Sequence, residues 1–139
     1  MPRWLSAVLV AAIAYVAIGL GFSALSASAA DGRPYRWAAW LVSAIVFGGH
    51  VTYEQRRLRD RPLLYATALR VAGAAALAAL FVAISATVHH TTPAENSRRA
   101  LALVIWPAAM MIIAFPTAFV LAAIVHRSGH VTSADGTGA

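Results

Sequence analysis

The sequence predicts an all-α, polytopic membrane protein: an antiparallel bundle of four transmembrane helices with both termini in the cytoplasm. Three observations predict it. The 139 residues are 60% hydrophobic and 12% charged, where soluble domains carry about 45–50% apolar and 25% charged residues. The apolar residues gather into four long runs, none with the alternation a membrane strand needs. The arginines sit at the ends of those runs rather than inside them.

The first run, "WLSAVLVAAIAYVAIGLGFSAL", gives a span over 4–25 with no charge in it. Its basic start and the "ASA" at 27–29 also resemble a cleavable signal, but about 20 apolar residues exceed the usual 7–15 of a signal core. The second, "WAAWLVSAIVFGGHVTY", gives a span over 37–56, and the third, "VAGAAALAALFVAISATV", a span over 63–88 including its mixed lead-in. The fourth, "ALALVIWPAAMMIIAFPTAFVLAAIV", gives a span over 97–125. Each is long enough for a hydrocarbon core about 30 Å thick. Residues 1–127 then form one transmembrane domain, and the small, polar 128–139 a flexible tail.

Local signals mark the helix starts. "TPAENSRR" offers Thr92 as N-cap, Pro93 in the first turn and Glu95 for a capping box. Asp60 caps the third helix, with Pro62 in its first turn. With four spans, Arg3, Arg56, Arg57, Arg59, Arg61, Arg70 and Arg127 share one side, and Arg33, Arg36, Arg98 and Arg99 the other, seven against four. The richer side is expected in the cytoplasm. Trp37 and Trp40 then belong to the outer interfacial belt, and Trp4, Tyr53 and Tyr65 to the inner one.

In lipid, helices associate through small residues that permit close approach. Ala72, Ala76, Ala79 and Ala83 make such a stripe on the third helix, and Ala7, Ala11, Ala14 and Gly21 on the first. Pro107 and Pro116 predict kinks in the fourth helix, each freeing the carbonyl four residues earlier, at Leu103 and Ile112.

The stretch "FGGHVTYEQRRLRDRP" at 47–62 carries most of the polar chemistry. Ten residues before Asp60 stands His50, and ten after it Arg70. If helices 2 and 3 form a hairpin turning there, these two lie at similar depth. Glu54 shares a helix face with His50 (i, i+4). Side chains lean toward their own helix N-terminus, so Arg70 and Glu54 lean toward each other, and an ion pair is expected. His50, Glu54 and Arg70 are thus a polar intramembrane cluster. His50, Glu54, His126 and His130 are residue types that hold a divalent metal, and His50 with a histidine of another helix would hold haem. His89 and His90 fall at the opposite membrane face.

Several classes are excluded. Without cysteine there are no disulfides, thiolate metal sites or Fe–S clusters. All eleven basic residues are arginine, but they form no basic stripe with interleaved aromatics, so nucleic acid is not an expected partner. No glycine-rich phosphate loop, Ser–His–Asp set or pair of acids points to a self-contained hydrolase. The sequence therefore suggests a non-catalytic accessory or scaffold subunit, partnered by the bilayer and by other subunits or its own copies. The alternatives are a small oligomeric transporter or channel, or a haem-, quinone- or metal-binding membrane protein using His50.

Overall fold

The computed structural model describes residues 3–58, 63–88 and 93–134, with side chains over 4–58, 63–85 and 101–128. The described residues form four helices: α1 (Arg3–Ser28), α2 (Arg33–Arg57), α3 (Leu64–Val88) and α4 (Pro93–Ala134). They contain no strand. The caps expected from Asp60, Pro62 and Thr92, the side chain of Glu95, and His89 and His90 lie outside the described residues.

The connection between α1 and α2 is shorter than the apolar runs suggest. α2 begins at Arg33 because Pro34 suits a first helical turn and Asp31 Oδ1 accepts the Arg33 backbone N–H at 2.9 Å. Ser26 Oγ donates to the Gly32 carbonyl at 3.3 Å and ties the end of α1 to this turn. A Cβ on residue 32 would stand 2.9 Å from the Ser26 carbonyl, which is why the turn uses glycine.

α4 runs unbroken through Pro107 and Pro116. It also continues past Ser128 and Gly129, where the sequence led us to expect a break. Ser128 Oγ donates to the Ile124 carbonyl at 3.0 Å, so the hydroxyl is satisfied inside the helix. A lone glycine costs a helix only about 1 kcal/mol. At 42 residues, α4 is about 60 Å long, roughly twice the thickness of a hydrocarbon core.

Contacts fix the helix directions. Trp4 meets Arg70 and Gly19 meets Val82, so α1 and α3 run parallel. Glu54 meets Arg70 and Gln55 meets Thr67, so α2 runs antiparallel to α3. Ala68, Val71, Ala118 and Ala122 share one buried cluster, and Ala72, Ala75 and Ala114 the next, so α4 is antiparallel to α3 as well. α3 and α4 make the most extensive interface, and α1 and α4 do not touch among the described residues. The order around the bundle is therefore α1, α2, α4, α3.

This order revises the expected hairpin. α2 and α3, joined in sequence, make the least extensive of the helix contacts and face each other across the bundle. Their polar contacts lie next to the connection between them.

The core is built from small side chains. Ala68, Ala72 and Ala75 of α3 pack against Ala114, Ala118 and Ala122 of α4, and all six are buried. The i, i+4, i+8 spacing on α4 brings two backbones close together, which is how helices gain packing energy in lipid. The stripe expected on α3 is partly used: Ala72 and Ala83 are buried, Ala76 and Ala79 half-buried. α1 buries Val8 and Ala12 instead of its small-residue stripe.

The outside is apolar. Ile13, Ile45, Ile112 and Trp40 are 68%, 73%, 73% and 74% exposed, a surface water would not tolerate over such an area. Three helices are long and apolar enough to cross a membrane, over Trp4–Ser28, Leu64–Ser85 and Leu101–Ser128. This is the build of a small multi-pass membrane protein. α2 is not among the three, although the sequence reading counts it as a span. Its arginines at both ends and the His50–Arg57 segment lower its hydropathy.

Candidate functional site

The polar end of α2 turns inward. His50, Val51, Glu54 and Gln55 are its buried residues, one continuous helical face by the i, i+4 rule. α1 and α3 supply the groups that meet them.

Glu54 is fully buried. Arg70 of α3 donates from Nη1 to Glu54 Oε2 at 2.9 Å. The Arg70 guanidinium also lies over the indole of Trp4, 5.8 Å from the ring centroid, within reach of a cation–π attraction. One cation thus joins α1, α2 and α3. The second carboxylate oxygen, Oε1, has no hydrogen-bond donor, and Arg57 Nη1 stands 3.8 Å away. A turn nearer the connection, Thr67 Oγ1 donates to Gln55 Oε1 at 3.0 Å, with both residues buried.

His50 sits differently. It is 8% exposed, and neither Nδ1 nor Nε2 has a hydrogen-bond partner. Its ring lies 6.5 Å from that of Tyr15 on α1, centroid to centroid, with the planes tilted by 48°. The Tyr15 hydroxyl is buried and unpartnered too. Buried polar groups are nearly always satisfied, and the exceptions call for a physical reason.

Beside His50, a groove of about 730 Å³ opens between α1 and α2. Ala7, Ala11 and Ala14 form its α1 wall, so the α1 stripe lines an open groove rather than a helix contact. Gly49 and His50 belong to the α2 wall, and Arg57 stands at its end. A Cβ on Gly48 or Gly49 would meet nothing within 4 Å.

The structure thus brings Glu54 together with Arg70, and places His50 on the same face of α2. Among the residues whose side chains are described, it does not gather the expected metal ligands. Among the described residues, no three of His, Asp or Glu come together around a possible ion. The physical reason lies in the charges: Arg70 and Arg57 already flank the Glu54 carboxylate, and two guanidiniums repel a divalent cation. His126 is half-buried on α4, and the side chain of His130 lies outside the described residues. Pro107 is half-buried and Pro116 exposed.

Four contacts escaped the sequence reading. Gln55–Thr67 follows from the same counting that pairs Glu54 with Arg70. The Ala114, Ala118, Ala122 seam shows as a repeat of small residues every four positions. Trp4–Arg70 and Tyr15–His50 carry no sequence signal, because they depend on α1 lying beside both α2 and α3.

Fold and site define a small helical membrane protein with a polar, charge-paired end. No protein-family model, curated protein or solved structure matches the chain.

Proposed function

We propose that this protein is a non-catalytic accessory or scaffold subunit of a membrane complex. In this reading α2 crosses the bilayer as a fourth span, both termini face the cytoplasm, and the Glu54–Arg70 end lies at the cytoplasmic boundary of a cell membrane, the inner one in a bacterium. The observation that carries it is the burial of Glu54 against Arg70, with Trp4 on the same cation. An ionisable residue inside a membrane usually marks an ion or substrate path. Here the carboxylate is committed to holding three helices in register, as expected of a rigid scaffold.

α2 becomes membrane-compatible through the same contacts. Hydropathy counts His50, Glu54 and Gln55 as costs, but each is turned away from lipid. Arg56 and Arg57 remain at the end, where long arginine side chains reach the headgroups.

The test is the native mass of the complex, extracted gently from its own membranes. Stable association with other polypeptides is the expected result. A pure multiple of this chain, together with solute flux in liposomes, would overturn the scaffold reading in favour of a transporter or channel.

One observation favours a second reading. The ring nitrogens of His50 and the hydroxyl of Tyr15 are buried without hydrogen-bond partners, as groups kept for a ligand would be. That ligand would be haem or a quinone rather than a divalent metal, given the arginines beside Glu54. A coloured protein that bleaches on His50→Ala would select this reading.

A further inference from the structure

We infer that the N-terminal half of α2 binds one anionic phospholipid, with its phosphate between Arg33 and Arg36 and an acyl chain running past Trp37 and Trp40 toward Phe47. The inference rests on the reading that α2 crosses the bilayer, and it concerns the end of α2 opposite the Glu54–Arg70 pair.

α2 changes its surroundings along a single face. His50, Val51, Glu54 and Gln55 are buried at its C-terminal end. Arg33, Arg36 and Trp37 stand eighteen residues before Val51, Glu54 and Gln55, about five full turns, and so share that face. Yet all three are exposed, as are Trp40 and Ala44 further along it. The face closes at Phe47, which is half-buried and packs against the cluster of Ala72, Ala75 and Ala114. Arg33, Arg36, Trp37 and Trp40 line one concavity of about 460 Å³.

The chemistry along this face follows the order of groups in a lipid. Arg33 and Arg36 come first, and neither pairs with an acid among the described residues. The nearby Asp31 carboxylate accepts the Arg33 backbone N–H instead. Two guanidiniums about one turn apart suit the oxygens of one phosphate, and each attracts an anionic headgroup by about 1 kcal/mol. The indoles of Trp37 and Trp40 come next, at the level where such rings meet headgroup and glycerol. Ala44 and Phe47 follow, an apolar track for a chain. From Arg33 to Phe47 is fourteen residues, about 21 Å of helix. That is one leaflet, half of a bilayer about 40–45 Å thick with its headgroups. A soluble phosphate would use the arginines alone and leave the indoles and Ala44 uncovered, so the match is to a lipid.

The test uses the full chain in nanodiscs of phosphatidylcholine doped with phosphatidylglycerol, with bound lipid counted by native mass spectrometry after transfer to mild detergent. The inference predicts one retained phosphatidylglycerol and no retained phosphatidylcholine. Arg33→Gln and Arg36→Gln each weaken retention roughly tenfold, the size of one lost charge-assisted contact. Arg56→Gln, at the other end of α2, leaves it unchanged. Ala44→Phe obstructs the chain track and lowers retention, whereas Ile45→Phe, one residue on and off this face, does not. None of these exposed positions lowers the melting temperature when changed.

Equal losses from Arg33→Gln and Arg56→Gln would overturn the inference, since binding would then follow general surface charge. So would displacement of the lipid by millimolar inorganic phosphate, which would make the arginines a site for a soluble anion. Retention untouched by Ala44→Phe would overturn it as well. Cysteines at positions 31 and 58 separate the two ways of failing. Labelling from opposite sides of the membrane with no lipid retained means that the site alone is wrong, and labelling from the same side means that the four-span reading is.

Discussion

Arg70 Nη1 lies 2.9 Å from Glu54 Oε2, and the carboxylate it meets is fully buried. The pair joins two helices that otherwise touch little. Its energetics are asymmetric: breaking a buried pair from one side costs about 3–5 kcal/mol, because an uncompensated charge stays behind. Arg70→Gln is therefore expected to destabilise the bundle by about 3 kcal/mol on that scale. Glu54→Gln/Arg70→Gln together should cost clearly less than the sum of the two single changes. Unfolding in mixed detergent micelles, followed by far-UV circular dichroism, measures both. Additive losses would mean that the pair is not coupled.

Trp4 holds the other side of the same cation. A cation–π contact at a partly exposed site is worth about 0.5–1 kcal/mol. Trp4→Leu should cost about that much, and Trp4→Phe less. In the Arg70→Gln background the Trp4→Leu cost should largely vanish, which the same unfolding assay reads.

The two alanine stripes should respond in opposite ways. Ala118 is fully buried against α3, so Ala118→Leu overpacks the α3–α4 seam and costs about 1–3 kcal/mol. Ala7 lines an open groove, so Ala7→Leu stays within about 0.5 kcal/mol of the native protein. Melting temperatures of the two variants, compared side by side, check the contrast.

Gln55 and Thr67 are buried, and each is the other's partner. Thr67→Val keeps the shape and removes the donor, leaving the Gln55 carbonyl unsatisfied at a cost of about 1–3 kcal/mol. Thr67→Ser keeps the donor and should lose less. Similar losses for both would point to the Thr67 methyl group rather than its hydroxyl.

The helices were legible because burial in lipid imposes long apolar runs, and α1, α3 and α4 are such runs. The Glu54–Arg70 contact was legible because a short turn puts His50 and Arg70 at similar depth, and Glu54, one helical turn nearer that connection, leans inward while Arg70 leans outward. The helix order was not. A short connection places α2 and α3 end to end, yet the alanine seam of α4 outcompetes α2 for α3. Ala114, Ala118 and Ala122 carry that choice, and their spacing is a sequence signal that the prolines beside them overshadow. The environment of His50 was illegible for a related reason, since Tyr15 reaches it only once α1 packs against α2.

The central claim is that α2 crosses the membrane with its polar face turned into the bundle. The chain has no cysteine, so single cysteines report topology without background. The most direct measurement is labelling of Asp31→Cys and Leu58→Cys, one at a time, by a membrane-impermeant maleimide in intact and in opened cells. Labelling of position 31 in intact cells, and of position 58 only after opening, is the result this account predicts. Labelling of both positions from the same side would place α2 along the membrane surface and contradict it.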